Sequence, residues 1–135
     1  MSDSSMDQQA VAEEILKLNE RLLKCIAAGD WKTYSELCDS GITGFEPEAR
    51  GQWVEGMDFH KFYFDLGGSS GPSNTTMCSP MVHVLGGAAV VCYVRLVQKL
   101  DESGKPITAR CEETRVWHHR GGRWQHVHFH RSVSV

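Results

Sequence analysis

Ala88-Ala-Val-Val-Cys-Tyr-Val-Arg-Leu-Val-Gln-Lys99 is the stretch on which the fold turns. It is dense in β-branched and aromatic residues and is bounded by Gly86-Gly87 and Asp101-Glu-Ser-Gly104, the composition of a long strand between two turns. Similar runs flank it at Asn74 to Val84, Ile107 to His119 and Arg123 to Val133, the last two separated by Gly121-Gly122. Long strands joined by short turns predict an antiparallel meander.

Working outward toward the N-terminus, the pattern changes period. Val11, Ile15, Leu18, Leu22 and Ile26 recur at three-and-four spacing, widened by Leu16 and Leu23, and Gly29 ends the run. That is an amphipathic helix. Asp30 caps a second, short helix carrying Trp31, Tyr34 and Leu37, which Asp39-Ser40-Gly41 stops. A strand over Ile42 to Phe45 follows, then a third helix from Asp58 to Phe64 with Asp58 as its cap. The loop Leu66 to Pro72 is the segment whose composition predicts the greatest mobility. Helices first and strands afterwards give an α+β class, the long helix lying across one face of a curved antiparallel sheet. Residues 1–8 read as a flexible polar tail and 9–135 as one domain, since a chain of 135 residues affords one core.

Composition narrows the function. The net charge is −3 with both signs mixed along the chain, so no basic stripe invites nucleic acid. No run of eighteen apolar residues occurs, and Ser2-Asp3-Ser4-Ser5 is polar where a signal peptide turns basic and apolar, so no membrane association is expected. The cysteines, Cys25, Cys38, Cys78, Cys92 and Cys111, are odd in number and lack a C-x-x-C pair. They read as free thiols acting as small hydrophobes in a reducing, cytoplasmic setting.

Arg95, Arg115 and Arg131 stand inside apolar, strand-forming sequence. A guanidinium there either splays to solvent or is held inward, and an inward one costs several kcal/mol unless paired. Two arrangements fit. The three line a shared site for an anion, or they form structural ion pairs with Glu46, Glu48, Glu112 or Glu113. The turn at Gly121-Gly122 bears on the choice, because register decides the face of each side chain. With a two-residue loop Arg120 opposes Arg123, and Arg115 shares a face with His128. With a three-residue loop and a bulge, Trp124 opposes His118, and Arg115 joins Arg131, Val127 and Phe129 on one face.

His126, His128 and His130 alternate along one strand and so share a face, where they suit a subunit interface better than a metal. Successive same-face residues are about 7 Å apart, too far to converge on one ion. No metal and no cofactor are expected. Trp53, Trp117 and Trp124 read as core anchors. Glu46, Asp58 and His60 are available for acid–base work, but no catalytic motif accompanies them.

Four longer runs carry a resemblance: Gly44-Phe-Glu-Pro-Glu-Ala49, Val54-Glu-Gly-Met-Asp-Phe-His-Lys-Phe-Tyr-Phe64, Cys111-Glu-Glu-Thr-Arg-Val-Trp-His118 and Val127-His-Phe-His-Arg-Ser132. In order and spacing, from about Ala12 to Ser132, they resemble the association (hub) domain of calcium/calmodulin-dependent protein kinase II. The resemblance implies a cone of the nuclear-transport-factor-2-like type, a curved sheet wrapped around a long helix. It implies self-association of dimers into two stacked rings of roughly a dozen or more subunits, gathering kinase domains or their linker peptides. It further implies a pocket for small carboxylates or acidic peptide segments lined by Arg95, Arg115 and Arg131 with His60 beside them, which favours the bulged register. No kinase catalytic run or calmodulin-binding helix is read here, so either an excised piece of a kinase or a free-standing hub is expected, and no catalysis. The loop Asp65 to Asn74 lacks the tryptophan of the family pattern; if that tryptophan is the pocket's lid, this chain has none. The competing reading is a small cone-fold enzyme or binder of the isomerase or cyclase kind, with Glu46 or His60 as base.

Overall fold

The computed structural model describes residues 4–68 and 71–133. Helix α1 spans Ser4–Ala28, α2 Trp31–Leu37 and α3 Asp58–Asp65, with a 3-10 turn at Pro47–Ala49. The strands are β1 Cys38–Phe45, β2 Val54–Glu55, β3 Ser73–Leu85, β4 Ala88–Leu100, β5 Pro106–Arg120 and β6 Arg123–Ser132. They form one six-stranded sheet in the order β2-β1-β6-β5-β4-β3. The fold class is α+β as the sequence implies. All pairs are antiparallel except β1 with β6, which run parallel because the helical segment and the whole meander separate them in the chain.

Helix α1 packs on β3 and β4. Ile15, Leu22, Leu23 and Cys25 meet Ala89, Val91, Tyr93, Trp117 and Phe129 in the buried core. The helix starts at Ser4, so residues 4–8, expected as tail, form its first turns. Polar residues such as Gln8 and Gln9 extend a helix into water without any apolar stripe, and a pattern search does not see them. Residues 1–3 of that tail, and Ser69 and Ser70 of the expected mobile loop, lie outside the described residues.

Asp30 caps α2 as expected, its carboxylate accepting the Thr33 N–H at 3.1 Å. Asp58 does not cap α3. Met57 holds that position without a side-chain bond, and Asp58 sits in the first turn, where its charge complements the helix dipole. Strand β1 follows α2 with no break, so Asp39-Ser40-Gly41 bends a strand and does not end a helix. Gly68 lies against the end of α1, where a Cβ would come within 2.4 Å of the Ala28 carbonyl oxygen. Only glycine permits that approach.

The last hairpin combines features of both expected registers. Gly121 and Gly122 have φ of 61° and 80° and make a two-residue turn, with Arg120 opposite Arg123 and Trp124 opposite His119. The parity flips further along. Trp117 pairs with His126 while Val116 pairs with His128, which leaves Val127 as an extra residue in β6. Arg115 therefore opposes Phe129, and Glu113 opposes Arg131. Arg115 and Arg131 share the inner face, as the resemblance implies, but through a bulge inside the strand and without Val127.

The same bulge overturns the single-face placement of the histidines. His126 points into the core and is fully buried, 5.3 Å from the Trp117 ring, while His128 and His130 go to the other face. Trp53 is a second correction. It is half exposed, stacking its edge on Phe45 and lying against His128, because β2 is a short edge strand with nothing beyond it to cover the ring.

Candidate functional site

Alternation along β4, β5 and β6 directs Tyr93, Arg95, Glu113, Arg115, Phe129 and Arg131 to one face of the sheet. Helix α3 brings His60 over them, α2 brings Tyr34, and the bend after β1 brings Glu46 and Glu48. With Ile26, Tyr63 and Phe64, these residues line a cavity of about 270 Å³, except Tyr93 and Glu113, which are buried and hydrogen-bonded to the arginines. All four expected site residues, Arg95, Arg115, Arg131 and His60, are brought to it.

The two arrangements open to the arginines prove to be one. They share a cavity, and each is ion-paired. Arg115 is 2 % exposed and grips Glu113 with two nitrogens, Nη2 to Oε2 at 3.1 Å and Nε to Oε1 at 3.3 Å. Arg95 reaches the same carboxylate, Nη1 to Oε2 at 3.1 Å, and Arg131 pairs with Glu48. The Tyr93 hydroxyl donates to Glu113 and accepts from Arg115 Nε at 3.0 Å and Asn19 Nδ2 at 3.0 Å. The Arg115 guanidinium also lies 4.9 Å from the Phe129 ring centre, a cation–π contact.

Burial by itself would keep Glu113 protonated, yet Arg115, Arg95 and the Tyr93 hydroxyl hold its pKa down at about 2. Burial likewise works against the Arg115 charge, and Glu113 outweighs it and raises the pKa. His60 goes the other way. Burial and then the Arg115 charge push it down to about 4, so the ring is neutral near pH 7. One of its nitrogens, Nδ1, is 2.9 Å from the Tyr34 hydroxyl. The other, Nε2, is buried with no partner among the described residues, as is Arg95 Nε. Burial and then the Glu48 charge raise the pKa of Glu46. The cavity therefore presents guanidinium edges, a neutral imidazole and aromatic walls, a set whose charge and hydrogen-bond donors are complementary to a carboxylate.

Tyr34, Tyr93 and Asn19 were not legible as part of this site, and Phe129 was read only as sharing a face with Arg115 and Arg131 in the bulged register. Strand parity carries the signal for Tyr93, two residues before Arg95, and for Phe129, two before Arg131. Nothing local marks Asn19. It becomes the buried acceptor for the Trp117 indole only when α1 lies on the sheet. Among the described residues no group of metal-binding side chains is found, and no helix is long and apolar enough to cross a membrane. The cysteines are all free.

Comparison with known proteins decides the family. The model of the calcium/calmodulin dependent protein kinase II association domain matches residues 11–135. The chain belongs to that family. The association domain is 52 % identical over 131 residues to the delta subunit of calcium/calmodulin-dependent protein kinase type II from Oryctolagus cuniculus, covering 95 % of this chain and 25 % of that protein. It thus spans about a quarter of that relative's length. Among solved structures, the association domain of C. elegans CaMKII superposes with a TM-score of 0.90 at 44 % identity, covering 94 % of this chain and 98 % of that one. A Salmonella enterica protein of the nuclear transport factor 2 (NTF2-like) superfamily gives a TM-score of 0.77 at 21 % identity over 95 % of this chain and 94 % of that one. That second likeness concerns the fold, the cone in which a curved sheet wraps a long helix.

Proposed function

We propose that this association domain assembles copies of itself into dimers that close into two stacked rings, with the arginine cavity as a secondary site for small carboxylates or acidic peptide segments. The outer face of the sheet carries the reading. Val90, Cys92, Val94 and Leu96 of β4 and Val116 of β5 alternate with the core positions and remain partly exposed, and Met81 and Leu85 beside them are 59 % and 64 % exposed. An apolar face of that extent is typical of a surface that another protein covers.

The activity is geometric. Chains joined to the hub, kinase domains or their linker peptides, gain effective concentration from being held together. Assembly is preferred to a cone-fold isomerase or cyclase because the family match is to an association domain and the polar lining of the cavity is dominated by three ion-paired guanidiniums, which do not exchange protons in the working range. No metal, cofactor or nucleic acid enters the proposal, and the setting is the cytoplasm.

Native mass spectrometry of the chain tests it. A discrete, even-numbered assembly of many subunits is expected, and a monomer or simple dimer at micromolar concentration overturns the hub reading. The cavity has a separate test. Arg115→Ala should abolish binding of a small carboxylate, and unchanged binding overturns that part.

A further inference from the structure

Arg95 and Arg131 have a second side. With Ile26 they line both the arginine cavity and an adjoining cavity of about 270 Å³, which runs along the inner face of β4 toward its end. Parity again builds the walls. Arg95, Val97 and Lys99 alternate inward on β4, opposite Met77, Thr75 and Ser73 of β3 and opposite Cys111, Ala109 and Ile107 of β5. Ser73 and Thr75 add hydroxyl donors to a lining that contains Arg95, Lys99 and Arg131.

The two cavities differ in charge. Glu46 and Glu48 stand in the wall of the first, and no carboxylate lines the second. Arg95 gives Nη1 to Glu113 and leaves Nε buried without a partner, and Arg131 gives Nη2 to Glu48. A guanidinium has donors to spare after one such pairing. Lys99 has no ion-pair partner among the described residues. It lies about 13 Å along the strand from Arg95, and its flexible stem lets the ammonium swing back toward the shared wall.

We propose that the two cavities form one bipartite site for a small aliphatic dicarboxylate. One carboxylate sits among Arg95, Arg131 and His60, the methylene chain lies on Ile26, and the second carboxylate meets Lys99 and the hydroxyls of Ser73 and Thr75. This rests on the carboxylate reading of the first cavity and adds a length and charge requirement to it. A monocarboxylate fills one half and leaves Lys99 unused. A second carboxylate gains a charge-assisted contact in a partly enclosed groove, where screening is weaker than on open surface.

The test is isothermal titration of the full, assembled chain with matched pairs of equal carbon number: pentanoate with glutarate, hexanoate with adipate, octanoate with suberate. At least one dicarboxylate should bind about tenfold tighter than its partner acid, a difference worth about 1.4 kcal/mol. Lys99→Gln should erase that advantage, Lys99→Arg should keep it, and rising salt should shrink it. Lys99 is exposed, so neither substitution disturbs the core. If monocarboxylates bind and no dicarboxylate gains over its partner, or if the gain survives Lys99→Gln, the bipartite site is wrong and the first cavity stands. If neither class binds at millimolar concentration, the carboxylate reading and this proposal fall together.

Discussion

Trp117 donates its indole N–H to Asn19 Oδ1 at 3.1 Å, a fully buried bond between residues 98 positions apart that ties α1 to β5 from within. The other end of the Asn19 amide donates to the Tyr93 hydroxyl at 3.0 Å, so one side chain joins the helix to the polar network around Glu113 and Arg115.

Replacing Asn19 by Leu keeps the volume and removes both bonds. The buried Trp117 indole N–H is then left unsatisfied, at a cost of about 1–3 kcal/mol, while the Tyr93 oxygen keeps the Arg115 Nε donor. Urea unfolding at fixed protein concentration should show a lower midpoint with an unchanged slope. An unchanged midpoint would show that the network contributes nothing to stability.

Glu113 is the shared counter-ion of Arg95 and Arg115 and is 2 % exposed. Glu113→Gln leaves two inward guanidiniums facing a neutral amide, and removing one partner of a buried pair costs about 3–5 kcal/mol. The variant should be less stable than Asn19→Leu in the same urea series, and the opposite order would place the weight of the network on the helix bond.

The acid response has two windows. His60 is held at about 4 in the folded chain against an ordinary 6.5, so the unfolded chain binds the extra proton between those values. Stability is lost as pH falls through that window, by about 3 kcal/mol at 1.36 kcal/mol per pH unit. Glu113, held at about 2 against 4.5, contributes stability that is full above 4.5 and is lost as pH falls toward 2. His60→Gln should flatten the stability profile between pH 6.5 and 4 while leaving the steeper acid limb in place. A profile that keeps its full slope in that window would assign the loss to other groups.

Gly44 sits across the parallel β1–β6 pairing from Phe129, and a Cβ on it would come within 2.7 Å of the Phe129 ring. Gly44→Ala should push that ring toward Arg115, costing about 1–3 kcal/mol as an overpacked site does. It should also weaken carboxylate binding in the cavity. Destabilisation with unchanged ligand affinity would show that the ring yields elsewhere.

Cys92 lies on the outer face, half buried, whereas burial pushes the Cys25 and Cys38 thiols up to about 12. Under mild alkaline labelling Cys25 and Cys38 should stay protected in every native form. Cys92 should label slowly in the assembly and faster once it is dissociated without unfolding. Equal Cys92 rates in the two forms would remove the outer face of β4 from the interface.

The legible part of the site was the set of residue types. Arginines in strand sequence stand out because the pattern around them is apolar, but period-two alternation left open whether they face solvent or the core. The histidines of β6 show where that reading stops. Uniform alternation put His126, His128 and His130 on one face, but Val127 bulges and His126 turns inward beside Trp117. A bulge is set by how two strands are paired, and no residue in Gln125 to Phe129 announces it. Trp53 failed for a related reason, since its exposure follows from lying by a short edge strand that only the complete sheet order reveals.

From the sequence alone came the helix over the core positions Ile15 to Ile26, the four long strands, the α+β class and Arg95, Arg115 and Arg131 as charges out of pattern. All of these follow from local chemistry: periodicity, turn residues, and the cost of charge among apolar neighbours. The grouping of the arginines with His60 in one site came from the family resemblance. The tertiary structure alone decided which carboxylate each arginine takes, that Asn19 and Tyr93 complete the network, and that Arg95 and Arg131 are a wall common to two cavities. Those outcomes depend on distances between residues far apart in the chain, and such distances exist only once the sheet has curved around α1.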